Sequence, residues 1–288
     1  SRGLENQYTK ESEGVFFVDL NYSAISELCD SISLGSRGYI YIVDSGTAAI
    51  GAGILTELAL RLVDAGMDAA AIACSRDPKS ILLCAATKMN DADAVRQAIA
   101  AGVDCCGENR AQELTVKLRD DAYRGKPVHF IGRLQTNKVK QVVGKVDLIQ
   151  SVDRENLLEA IQKEASRQGI TQDILLEVNI GREEAKGGFL PEALPSILEK
   201  ITNFPNVRVR GLMTVPPICQ KTTDNDKFFQ EMCNIGVDIM EKKYDNVSVD
   251  ILSMGMSDDF VRAIACGSTM IRVGTAIFGA RDYSKKHP

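Results

Sequence analysis

The chain has 288 residues, 44% hydrophobic and 25% charged, which is the make-up of a folded protein of one large domain or two modest ones. Its net charge of -5 comes from 34 basic and 39 acidic residues with no long block of either sign, which argues against nucleic-acid and polybasic membrane partners. No apolar run approaches the ~20 residues of a membrane span, the start from Ser1 to Gln7 lacks the build of a secretory signal, and the eight cysteines (Cys29, Cys74, Cys84, Cys105, Cys106, Cys219, Cys233 and Cys266) form no C-x-x-C pair, so reduced, buried thiols in a cytoplasmic protein are expected rather than a disulfide frame or zinc site.

Residues 1–50 form an N-terminal extension. Val15 to Leu20 and Tyr39 to Asp44 have strand character and 22–34 has helical potential, a combination that fits an added strand pair, a dimerisation arm or a partly disordered tail. The remainder, 51–288, is read as one domain. A helix over 53–66 carries Ile54, Leu55, Leu58 and Leu62 on one face. From Ile81 the chain alternates short apolar runs with helical spacing. The runs are 81–86, 103–107, 128–131, 146–151, 174–180, 207–214, 247–252 and 269–273. The intervening helical stretches are 91–100, 110–119, 135–142, a helix capped by Asp153 with a stripe of Leu157, Leu158, Ile161 and Ala165, one entered at Pro191, 223–243 and 257–265.

Eight strands separated by helices imply a parallel sheet, because parallel neighbours need long crossovers. Such a sheet closes into a (β/α)8 barrel or stays open and doubly wound, and the rhythm fits both. No helix is predicted after the eighth strand, and the 53–66 helix is expected to cover that flank.

Chemistry in such a barrel gathers at the carboxyl ends of the strands. Lys88 ends the first run. Apolar walls there would lower its pKa and free the amine to attack an aldehyde, although most loop lysines are simply solvated. Ser253 to Ser257 follows the seventh strand and Gly274-Thr275 the eighth, where this fold often cradles phosphate. Ser257 and Thr275 offer hydroxyl donors, and Asp258 and Asp259 must turn away for a phosphate to sit there. Arg272 shares a face with Gly274; it suits either the ring nitrogen of a pyridine cofactor or an ion pair with Glu177 or Glu108. Asn109 is placed to reach into the mouth, and His129 is read as a packed core histidine.

Taken in order, Ala85 to Lys88, Gly107 to Leu114, His129 to Lys138, Ser151 to Asp153, Glu177 to Ile180 with Lys186 to Gly188, Gly211 to Met213, Ser253 to Ser257 and Gly267 to Gly279 resemble the pyridoxal phosphate homeostasis protein family. That family's single domain is similar to the N-terminal barrel of alanine racemase. The resemblance runs from about 72 to 280. It implies a (β/α)8 TIM barrel of the alanine racemase N-terminal-domain type, with pyridoxal 5'-phosphate (PLP) bound as a Schiff base to Lys88. It further implies phosphate held at Ser257, Gly274 and Thr275 and Arg272 near the pyridine ring, with Asn109 and Met254 completing the cofactor-binding set; no metal is implied. Met89-Asn90-Asp91 departs from the family in lacking a proline after the lysine.

The function so implied is a cytoplasmic PLP carrier, a monomer or weak homodimer, that supplies apo PLP-dependent enzymes without turnover of its own. The alternatives are a PLP-dependent amino-acid racemase or lyase and an aldolase using Lys88 directly. The chain ends soon after the barrel at Pro288, where the β-domain that gives alanine racemases an opposed tyrosine base would follow; the carrier reading is therefore preferred.

Overall fold

Most strands of this chain are buried on both faces, as closure into a tube covered by helices requires. In the computed structural model, which describes Leu60, residues 63–217 and residues 222–279, the strands are β1 (Leu82–Ala86), β2 (Cys105–Glu108), β3 (Val128–Phe130), β4 (Leu148–Val152), β5 (Gln172–Glu177), β6 (Val207–Met213), β7 (Val247–Ser253) and β8 (Met270–Val273). They follow one another around a closed barrel in chain order. Parallel pairing of β8 with β1, from Leu82 opposite Met270 to Ala85 opposite Val273, seals the ring and excludes the open sheet. The expectations for 1–50, and for the 53–66 helix before Leu60 and at 61–62, lie outside the described residues.

One side of each strand faces the helices. Leu83, Ala85, Phe130, Ile149, Ile174, Leu176, Leu212, Ile271 and Val273 join the helical stripes in one continuous apolar core. The other side fills the tube, where Cys84, Cys105 and Met270 make one small cluster and Leu148, Leu175 and Met213 another. Filling the inside of an eight-stranded barrel with side chains makes it a core rather than a pore.

The helices are α1 (63–73), then α2 (Ala92–Ala100), α3 (Ala111–Arg119), α4 (Glu155–Gln168), α5 (Leu194–Ile201), α6 (Asp226–Lys242), α7 (Phe260–Ala265) and α8 (Thr275–Phe278). In α1, Val63, Met67, Ala70 and Ala71 are buried at helical spacing, and Arg76, just beyond it, donates from Nη1 to the Ile264 and Ser268 carbonyls at 3.1 and 2.7 Å. This helix therefore packs beside the β7–β8 crossover, as expected, but continues past residue 66.

Four local expectations are corrected. The 135–142 stretch is a 3-10 helix (Thr136–Gln141); its stripe of Val139, Val142 and Val143 is only one turn long and ends at Gly144, whose φ is 73°. Asp153 does not cap α4, because its carboxylate is engaged by Arg154 and, at 3.6 Å, by Arg133, and charged partners outcompete a backbone N–H. The segment entered at Pro191 begins as a 3-10 turn (Pro191–Ala193) before α5. A one-turn helix, α8, does follow β8.

Candidate functional site

Lys88 sits in a tight turn at the end of β1, with Asn90 N–H donating to the Thr87 carbonyl at 3.2 Å. Met89, the third residue of the turn, has a φ of 61°, a left-handed conformation that disfavours a side chain. The turn is held from outside: Met89 N–H donates to Glu113 Oε2 at 2.9 Å. Thr87 is fully buried, its Oγ1 donating to Glu108 Oε1 at 2.5 Å and its carbonyl accepting from Lys117 Nζ at 2.8 Å. Lys117 and Glu108 themselves pair at 2.6 Å with almost no exposure. The strand end that carries the half-buried Lys88 is thus fixed by a buried ion pair behind the barrel wall.

Glu108 therefore does not face Arg272. It lies on the outward side of β2, next to α3, and Glu177 is not within ion-pair distance of Arg272 either among the described residues. Arg272 is buried inside β8, donating from Nη1 to Ser253 Oγ at 2.6 Å and from Nη2 to the Thr214 carbonyl at 2.8 Å. Two of its three nitrogens are used this way. Burial pulls the guanidinium below its ordinary pKa, opposed by negative charge at Cys84, Glu177 and Asp259.

The loops after β7 and β8 converge. Ala276 N–H donates to Ser257 Oγ at 3.3 Å, and a Cβ added at Gly274 would lie 3.3 Å from Ala86 Cβ, so glycine keeps the β8 loop close against the end of β1. Gly255 makes the β7 loop possible with a φ of 97°, where a Cβ would also meet Ala263 at 2.6 Å. Asp258 is exposed, whereas Asp259 is buried with its carboxylate turned onto its own loop, accepting from Met256 N–H at 2.7 Å and Asn225 Nδ2 at 2.9 Å. Asp258 is thus open to solvent, and Asp259 is engaged by partners within the protein. Met254 lies apart from this group: its side chain is fully buried in the main apolar core, its N–H donates to the Met270 carbonyl and its carbonyl accepts from Ser268 Oγ.

Asn109 extends β2 into the same mouth. Its backbone rests on Gly132, where a Cβ would fall 2.2 Å from the Asn109 carbonyl oxygen, and its buried Oδ1 has no hydrogen-bond partner. An orphaned buried acceptor marks a place where a ligand donor fits. Sequence reasoning treated Glu177 only as a counter-ion. It ends β5 in the mouth, and burial, reinforced by the charge of Asp153, pushes its carboxyl up to about 7 despite Arg272, Arg133 and Arg154. The signal was available in strand parity, since Glu177 shares a face with the tube-filling Leu175. His129 is buried as expected, its Nδ1 2.9 Å from Gln150 Nε2.

The carboxyl ends of β1, β2 and β8 and the loop after β7 thus carry an amine, an unsatisfied amide oxygen, a buried arginine and glycine-opened hydroxyls. The pattern of the alanine racemase N-terminal domain matches residues 79–282. A pyridoxal phosphate homeostasis protein of Aquifex aeolicus is 45% identical over 201 residues, 70% of this chain and 87% of the relative. The chain belongs to the pyridoxal phosphate homeostasis protein family. A second member, from Escherichia coli, is 37% identical over 76% of this chain and 94% of its own length. PipY of Synechococcus elongatus, solved with PLP bound, superposes with a TM-score of 0.65 at 31% identity, covering 74% of this chain and all of PipY. Membership in this family agrees with the barrel and with the motifs that carry Lys88 and the β7–β8 loops.

Proposed function

We propose that this chain binds PLP at the barrel mouth and serves as a carrier in PLP homeostasis, with Lys88 as the covalent anchor. The observation that carries the reading is the closeness of the β1 and β8 ends, where Gly274 abuts Ala86 two residues before Lys88, in a family with a PLP-bound structure. The Lys88 amine condenses with the cofactor aldehyde and releases water; the cofactor supplies an electron sink when bound. Ser257, Gly274 and Thr275 hold the phosphate, Arg272 faces the ring nitrogen and keeps it unprotonated, and Asn109 Oδ1 accepts from the ligand. Met254 contributes packing behind the β7 loop. The recipients are apo PLP-dependent enzymes, and the protein works in the cytoplasm as a monomer or weak homodimer.

Glu177 supports a second reading, a PLP-dependent racemase or lyase, because a carboxyl that titrates near 7 suits proton transfer at neutral pH. The relatives' names, which describe homeostasis rather than a reaction, favour the carrier. The test is to add PLP to the purified chain and follow absorbance before and after borohydride, beside an amino-acid racemisation assay. The carrier reading expects a yellow complex that bleaches, is absent in Lys88→Ala, and shows no sustained racemisation. Steady turnover abolished by Glu177→Gln would establish the enzyme instead.

A further inference from the structure

Beneath the mouth lies a group of side chains that the cofactor reading does not use. Cys84 on β1 and Cys105 on β2 are register partners on adjacent parallel strands, both buried and both inside the tube. His129 on β3 brings Nδ1 to 3.5 Å from Cys105 Sγ. The two sulfurs and an imidazole nitrogen all lie within 4.8 Å of one another. A tetrahedral cation with bonds of about 2.3 Å to sulfur and 2.0–2.1 Å to nitrogen separates such ligands by about 3.5–3.8 Å, so small side-chain adjustments suffice. Gly107 creates the room, since a Cβ there would fall 2.9 Å from Cys84 Sγ.

We propose that Cys84, Cys105 and His129 form a binding site for a thiophilic closed-shell cation of the zinc(II) or copper(I) type. Two thiolates and an imidazole are the soft donor set that selects these ions over calcium, magnesium or manganese. Met270 belongs to the same buried cluster, which places a thioether nearby as a weak further donor. The second layer is also built: Gln150 Nε2 lies 2.9 Å from His129 Nδ1 and 3.1 Å from Met270 Sδ, and Gln150 Oε1 accepts from Ser253 Oγ at 2.7 Å. Ligation through Nδ1 requires the Gln150 amide to release that nitrogen while Ser253 still holds its other end. Each thiol still protonated gives its proton to solvent as the cation binds, the imidazole binds neutral, and nothing is oxidised.

The test uses the full chain, reduced, stripped with a chelator and free of PLP. Cobalt(II), zinc(II) against a chromophoric chelator, and copper(I) against a cuprous chelator are titrated in turn. The site predicts one equivalent per chain, a thiolate-to-cobalt charge-transfer band, and at least a 100-fold loss of affinity in Cys84→Ser, Cys105→Ser or His129→Gln. A variant changing the half-buried Cys74, Cys233 and Cys266 to serine should bind within threefold of the original. X-ray absorption of that variant loaded with metal needs no change at the site and is expected to show two sulfurs and one imidazole nitrogen around the ion. Zinc binding without copper binding, or the reverse, identifies the ion within the proposed class. No binding at micromolar metal, or binding that survives loss of Cys84 and Cys105 but disappears with the three outer cysteines, overturns the proposal.

Discussion

The two faces of the barrel wall are built on different principles. Outside, strand and helix side chains merge into one apolar core, with Phe229, Leu157, Leu158 and Ile161 almost wholly buried. Inside, the apolar residues divide into two small clusters, and between them runs a buried polar chain from Arg272 through Ser253 and Gln150 to His129. Apolar burial contributes about 1.5–3 kcal/mol per large side chain, whereas a typical hydrogen bond contributes only about 1 kcal/mol net. The outer face therefore supplies stability, and the inner face fixes the orientation of Arg272 under the mouth.

That contrast can be broken most forcefully from outside. Phe229→Ala, on the buried face of α6, is expected to lower unfolding stability by about 3–5 kcal/mol while leaving the affinity of the surviving folded protein for PLP unchanged. Chemical denaturation beside a PLP titration checks both; a comparable loss of PLP affinity would mean the two faces are not separable. Lys117→Met probes a buried charged pair set in the outer face. It strands the Glu108 carboxylate in the core, an expected loss of about 3–5 kcal/mol. It also frees the Thr87 carbonyl that fixes the turn before Lys88, so PLP binding should weaken along with stability. Unchanged PLP affinity would show that the ion pair does not position the lysine.

Glu177→Gln sharpens the inner side of the comparison and has the smallest expected effect. In the folded protein this carboxyl titrates at about 7 rather than at the ordinary 4.5. The native state thus holds the proton more tightly than the unfolded chain. Its contribution to stability is complete below about pH 4.5 and is lost as pH rises through about 7. Glutamine stays neutral, so the variant should match the parent in acid and gain on it towards pH 8, by on the order of 1–3 kcal/mol. Stability curves that run parallel from pH 4 to 8 would place the titration elsewhere.

Much of this architecture was legible in the sequence because nearly every strand was a short apolar run followed by a turn and a stretch of helical spacing. Closure was not: the pairing of β8 with β1 joins residues nearly 190 positions apart, and rhythm fits an open sheet equally well. Lys88, Asn109, Met254, Ser257, Arg272, Gly274 and Thr275 were singled out by motif and by their place at strand ends. Their neighbours escaped because they act through pairing across elements. Glu108 was offered as a partner for Arg272, yet it has the outward parity of Cys106, and Lys117 extends the buried stripe of Leu114 by one turn towards it. The nearness of Cys84, Cys105 and His129 was hidden as well, because they come from three successive strands and meet only through register. The cap expected at Asp153 failed for a similar reason, since two arginines compete for its carboxylate.

The central claim is that one lysine at the end of β1 anchors the cofactor. It is tested most directly by mass spectrometry of the PLP-loaded, borohydride-reduced chain after proteolysis. The account predicts a single pyridoxyl-modified peptide, with the modification on Lys88. A reduced adduct on another lysine, or no adduct despite saturating PLP, would contradict it.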